Sequence, residues 1–257
     1  LRYSGMAYGH PRLLQWLALA LIALLLQSCA PLTVPVGYCQ SDGFLIDAQF
    51  EGGNFSSCQV ISNNSVRLVI RPEDEPPINQ SPWYAFRVNS KNSIPIHIRV
   101  EFENGYARYW PKLSTDGRNW RRATTEEAAI VDDGSALELT IGDGPPGVFV
   151  SAQELIVNSY YEEWARELSD NEHAHLSLLG HSDLGRPIHV AQTPMRDEVV
   201  YLLGRQHPPE VSGALAMRAF VRTILADSEL AREFRQRYSV VIIPLINPDG
   251  IDDPAID

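Results

Sequence analysis

The sequence predicts an α/β protein in two parts, an N-terminal antiparallel β-sandwich followed by an α/β region on a mixed sheet. Three observations carry that expectation. Between residues 44 and 150, short β-rich runs recur and are parted by Gly, Pro, Asn and Asp clusters, the pattern of a sandwich. From residue 151 onward, helical faces alternate with strands. Within that second part, the apolar run at residues 199–203, β-branched and aromatic at its start and bounded by Gly204, reads as a buried strand that leads at once into an amphipathic helix.

Residues 13–26 form an apolar run broken only by Gln15 and preceded by Arg12. It is too short for a comfortable membrane span and has the flanks of a signal-peptide core. Its end, Leu26-Gln27-Ser28-Cys29, resembles a bacterial lipobox. That resemblance implies a signal peptide over residues 1–29, acylation of Cys29, and a protein held to a membrane of the bacterial cell envelope on its periplasmic or surface side. Met6 reads as the start. Cys39 and Cys58 are the only other cysteines, and an exported compartment permits a disulfide between them.

Residues 40–150 are expected to form the sandwich, with strands at 59–61, 65–71, 83–88, 94–102, 136–141 and 148–150. Pro76-Pro77, Asn104-Gly105, Asp116-Gly117 and Asp133-Gly134 supply the turns. The aromatics Trp83, Tyr84, Phe86, Tyr106, Tyr109, Trp110 and Trp120 suit half-buried strand positions, and the same residues suit a peptide- or glycan-binding face. At 257 residues and 44% hydrophobic content, the chain has material for a sizeable core beyond one sandwich. Its net charge of -11 leaves no basic stripe to displace counterions from a phosphate backbone, which argues against a nucleic-acid partner.

Residues 151–257 begin with Ser151-Ala-Gln-Glu154, which has the form of a capping box. A helix is expected after it, with Leu155, Tyr160 or Tyr161, Trp164 and Leu168 on its apolar face and its end near residues 169–171. Residues 174–182 and 188–192 read as a hairpin about the turn 183–187; His173, His175, His181 and His189 there could form a metal cluster, but none has ligand spacing with a carboxylate, so they read as hairpin surface residues. The strand at 199–203 then leads to His207 and Glu210. Their spacing lets an imidazole nitrogen and a carboxylate face one point, as two ligands of a metal must. Met217, Phe220, Val221, Ile224 and Leu225 form one helical stripe, and a strand beginning at residue 238 closes on Asn247-Pro248-Asp249-Gly250.

This succession resembles the zinc metallocarboxypeptidases, the carboxypeptidase A-like peptidases, whose first two zinc ligands lie in His-Pro-Gly-Glu. Here Pro209 stands in the place of the Gly. Residues 50–54, 83–88 and 116–121 resemble the β-sandwich that precedes the catalytic domain in the cytosolic-carboxypeptidase-like branch. The resemblance implies zinc held by His207 and Glu210, hydrolysis of C-terminal peptide bonds, and a peptide or protein C-terminus as substrate. It also implies a Gly-Asn-x-Arg segment, a third ligand His and a Glu general base, none of which follows Gly250. The expectation is therefore a sandwich followed by an incomplete α/β zinc-carboxypeptidase domain, with no catalytic residue assigned and the strands at 199–203 and 240–245 lacking neighbours. The alternative is a non-catalytic surface lipoprotein that binds peptide or glycan through its sandwich. Mass spectrometry of the mature N-terminus should find diacylated or triacylated Cys29 as the first residue; an unmodified start elsewhere rejects lipid anchoring.

Overall fold

The computed structural model describes residues 37–72, 82–92, 94–142 and 147–252; the apolar run at 13–26 and Cys29 lie outside them. The first part is built from β1 (Tyr38–Gln40), β2 (Phe44–Asp47), β3 (Ser57–Ser62), β4 (Ser65–Ile70), β5 (Ala85–Ser90), β6 (Ile96–Phe102), β7 (Lys112–Ser114), β8 (Arg121–Arg122), β9 (Ala128–Val131), β10 (Ala136–Ile141) and β11 (Val148–Ser151). These strands form one sheet in the order β1-β2-β5-β11-β7-β8 and a second in the order β3-β4-β6-β10-β9. All their pairings are antiparallel except β4 with β6, which run parallel.

Alternation explains the core. Ile96, Ile98, Val100 and Phe102 on β6, Val66, Leu68 and Ile70 on β4, and Leu137, Leu139 and Ile141 on β10 all point inward. There they meet Phe44, Ile46, Phe86, Val88 and Val150 of the other sheet. Tyr84 lies in this core against Phe86 and Phe102, and its hydroxyl has no hydrogen-bond partner among the described residues. Burial pushes the Tyr84 phenol pKa well above its ordinary value. Cys39 and Cys58 are joined as a disulfide that ties β1 to β3, one strand from each sheet.

The second part contains α1 (Asn158–Ser169), β12 (His175–His181), β13 (Pro187–Gln192), β14 (Glu198–Leu203), α2 (Val211–Ile224), α3 (Glu229–Arg237) and β15 (Tyr238–Ile243). Its sheet has the order β12-β13-β15-β14 and is mixed, because β14 and β15 are parallel while the other pairs are antiparallel. Tyr161, Trp164, Ala165 and Leu168 bury one face of α1 in a separate core with Ala191, Val240 and Ile242 of the sheet. Arg218 of α2 binds Glu167 and lies 4.6 Å over the Tyr160 ring, which clamps α2 to α1.

Four expectations are corrected here. The capping box does not form: Ser151 is spent in β11, paired with Ala85 and Lys112, and Glu154 is bonded to Lys112. The helix begins only at Asn158, and its first turn is capped from the sandwich by Glu51, whose carboxylate accepts the Ser159 N–H at 3.1 Å. β14 is not buried, because it is the outer strand of its sheet, with Tyr201 66% and Leu203 52% exposed. β15, by contrast, has neighbours on both sides, and on α2 the buried set is Val211, Ala214, Val221 and Ile224, which turns Phe220 outward.

Replacing Tyr84 by Phe removes an unsatisfied buried hydroxyl without leaving a cavity. Urea unfolding of Tyr84→Phe should show stability unchanged or raised by about 1 kcal/mol, whereas Tyr84→Ala should lose about 3 to 5 kcal/mol. A loss above about 1 kcal/mol in Tyr84→Phe would mean that the hydroxyl is bonded in solution. The disulfide closes a 19-residue separation, and Cys58→Ser should lower stability by about 3 kcal/mol in the chain-entropy account. No change on substitution, or on adding reductant, counts against the bond.

Candidate metal centre

The loop that carries His207 and Glu210 runs from the C-terminal end of β14 to the N-terminus of α2, the side of an open α/β sheet where ligands bind. It starts at a glycine for a steric reason. A Cβ on Gly204 would come within 2.4 Å of the Pro244 carbonyl oxygen and 2.5 Å of the Met217 sulfur. That close approach lets the Gly204 N–H donate to the Ile243 carbonyl at 2.9 Å and its carbonyl accept the Ile246 N–H at 3.1 Å. The loop is thereby sewn to the end of β15.

Arg205 follows with a left-handed backbone, φ 50°, unusual for a residue with a Cβ. The turn sends its side chain back beneath its own loop. The Arg205 Nε donates to the Pro208 carbonyl at 2.8 Å, and Nη1 donates to the Ile156 carbonyl at 2.9 Å and lies 3.4 Å from the Tyr161 hydroxyl. Burial raises the Tyr161 pKa, and the nearby guanidinium only partly opposes that shift.

Pro208 and Pro209 offer no N–H, so the turn closes through their neighbours. The Glu210 N–H donates to the His207 carbonyl at 3.3 Å and the Val211 N–H to the Pro209 carbonyl at 2.9 Å. Pro209 therefore fits the turn without a glycine.

The Asn-Pro-Asp-Gly turn braces the other side. The Asn247 side-chain amide donates to the Gln206 carbonyl at 3.4 Å and its oxygen accepts the Gly250 N–H at 3.1 Å. A Cβ on Gly250 would sit 2.8 Å from the Pro208 ring. The Asp249 carboxylate accepts the Ser182 hydroxyl at 2.7 Å and the Leu184 N–H at 3.1 Å, and it pairs with Arg186. The turn between β12 and β13 is thus linked to the metal loop through residues 247–250. The roles of Arg205 and Asp249 come from these long-range contacts; the local signal for Arg205 is a lone cation between a strand and two prolines.

The structure brings His207 and Glu210 together, with Nδ1 3.0 Å from Oε1 and the two side chains 72% and 54% exposed. Two ligands of one tetrahedral zinc, each about 2.1 Å from it, lie about 3.4 Å apart, so this pair needs little movement to share an ion. The donor set, one imidazole nitrogen and one carboxylate, is chemically suited to zinc.

Among the described residues, the group of three candidate ligands that converges is Glu172, His173 and Asp227, which does not include the pair. There the His173 Nε2 is 2.7 Å from Asp227, and that hydrogen bond lowers the Asp227 pKa. It fastens the connection before β12 to the turn between α2 and α3. His175, His181 and His189 lie on the β12–β13 hairpin and do not join His207.

Comparison with known proteins agrees with this architecture. Residues 46–142 match the cytosolic carboxypeptidase N-terminal domain, and residues 161–253 match the zinc carboxypeptidase family, whose metal is zinc. Cytosolic carboxypeptidase 2 of Xenopus tropicalis is 22% identical over 249 residues, covering 83% of this chain and 25% of the relative. Cytosolic carboxypeptidase 6 of Caenorhabditis elegans is 24% identical over 234 residues, covering 80% of this chain and 50% of the relative. Among solved structures, a metallo-carboxypeptidase from Burkholderia cenocepacia shares the fold, with a TM-score of 0.66 at 19% identity over 82% of this chain and 58% of that one. The chain thus spans from a quarter to somewhat over half the length of these proteins. With the two matched domains in this order and together taking in most of its length, the chain belongs to the zinc metallocarboxypeptidases that carry the cytosolic carboxypeptidase N-terminal domain.

Proposed function

We propose that this protein is a zinc-dependent metallocarboxypeptidase that hydrolyses C-terminal peptide bonds, with His207 and Glu210 as two protein ligands of the zinc and a peptide or protein C-terminus as substrate. The observation that supports this reading is the convergence of His207 Nδ1 and Glu210 Oε1 at 3.0 Å on the ligand-binding side of a parallel strand pair. Zinc held there supplies Lewis-acid polarisation of a peptide carbonyl.

The chain's own residues supply position. Gly204 lets the loop approach β15, Arg205 holds the Pro208 carbonyl from beneath, and Asn247 holds the Gln206 carbonyl from the side. His207 is therefore fixed at both ends of its backbone while its ring remains open to solvent. In the same reading, the protein acts in the cell envelope, anchored through Cys29.

The experiment is zinc titration of the whole chain by competition with a chromogenic chelator, together with assay of amino acids released from a C-terminal peptide library. His207→Ala and Glu210→Gln should each weaken zinc binding by about 10-fold or more and leave the thermal unfolding midpoint of the zinc-free protein within about 2 °C. If both variants bind zinc as tightly as the unaltered chain, the assignment of the pair is wrong. Zinc bound through the pair without release of any C-terminal residue would instead favour the non-catalytic reading, with the sandwich as the binding element.

A further inference from the structure

The cleft between the sandwich and the loop of His207 and Glu210 holds a buried cation with no carboxylate partner among the described residues. Trp83 and Tyr109 line it from the sandwich, Ile156 from the connection to α1, Pro208 from the metal loop and Ile251 from beyond β15. Among the described residues, Arg205 is the only charged one in its lining. Arg205 is 7% exposed. Its Nε and Nη1 are used by the Pro208 and Ile156 carbonyls and the Tyr161 hydroxyl; among the described residues, Nη2 has no hydrogen bond and no carboxylate lies within ion-pair distance.

We propose that this cleft is a binding site for a carboxylate attached to an apolar body, with the Arg205 guanidinium as its cation and Trp83, Tyr109 and Ile156 as walls for the apolar part. A charge taken out of water is costly unless an opposite charge or a full set of dipoles meets it. Two carbonyls meet part of the guanidinium and leave one terminal nitrogen with its protons unused. A carboxylate is the group that fits such a fork, because the hydrogen bond is charge-assisted and planar.

Arg235 provides the contrast within the same molecule. It is equally buried, but its Nη1 sits on the Ile224 and Ala226 carbonyls at the C-terminal end of α2, where the helix dipole favours a cation, and it does not line the cleft of Arg205. Arg205 has no such helix end. Its left-handed backbone also carries strain of a kind that persists where the surrounding structure enforces it, often at ligand sites. The site needs no metal, so it stands or falls separately from the zinc reading.

The test uses the whole chain after chelator treatment and follows benzoate and its uncharged isostere benzamide by calorimetry. Benzoate should bind at least about tenfold more tightly than benzamide, the difference a charge-assisted hydrogen bond makes. Arg205→Met should reduce benzoate to the benzamide level. Because that change also strips support from the loop, Tyr109→Ala serves as a milder variant and should weaken both ligands about threefold. His207→Ala should leave benzoate binding unchanged.

N-acetyl-alanyl-phenylalanine, compared with benzoate, distinguishes the source of the carboxylate. A tighter peptide identifies a chain terminus, and a tighter benzoate identifies a free organic acid. Equal binding of benzoate and benzamide would overturn the proposal. So would benzoate binding that needs added zinc or is lost in His207→Ala, since either result would place the acid at the metal pair.

Discussion

Arg205 is charged, buried and bonded to carbonyls on both sides of a junction, and the shape of the metal loop follows from satisfying it. Its Nε holds the Pro208 carbonyl while Nη1 holds Ile156, which lies between the sandwich and α1. A shift of the loop would break the bond from Nε to the Pro208 carbonyl, a charge-assisted hydrogen bond that contributes about 1.5 to 3 kcal/mol. The left-handed backbone at Arg205 and the crowded glycine before it are what allow the side chain to turn back under His207. Position at His207 thus depends on a residue with no hydrogen bond to the side chain of His207 or Glu210.

The sandwich is tied to the α/β part by more than chain continuity. Glu51 caps the first turn of α1, a bond between residues 108 positions apart. One residue on, Gly52 packs so close to Val157 that a Cβ there would lie 2.8 Å from its methyl group, and the Gly52 carbonyl accepts the Trp83 indole N–H at 2.7 Å. Residues 50–54, noted first as a family-like segment, therefore act as the contact between the two cores. The same arrangement places Trp83 and Tyr109 opposite Pro208 and Pro209, so that the sandwich supplies one wall of the cleft beneath the loop.

An edge strand shapes the remaining side of the site. β14 delivers the metal loop, yet it pairs only with β15 among the described residues, and its outer apolar side chains, with Phe220 of α2, remain exposed. Such an edge is ordinarily covered or blunted in folded proteins. β12 at the opposite edge carries an irregularity between Leu178 and Gly180, a common way to blunt an edge, whereas β14 runs in unbroken register from Glu198 to Leu203.

Much of this was legible in the chain because the governing signals are local. Alternation at Ile96, Ile98, Val100 and Phe102 gave a strand with one buried face, and Gly204, His207, Glu210 and residues 247–250 marked the two turns of the site by residue type alone. Long-range competition decided the rest. Ser151 and Glu154 had the spacing of a cap, but strand pairing and Lys112 claimed them, and the cap came from Glu51 instead. The 199–203 run was apolar enough to be buried, but apolar content cannot say which strands lie beside it. Nor can a sequence show that one arginine folds beneath its own loop to meet a carbonyl 49 positions away, since only packing brings Arg205 and Ile156 together. Residue types fixed which chemistry was available, and tertiary structure decided which of those groups were satisfied and which were left facing a cleft.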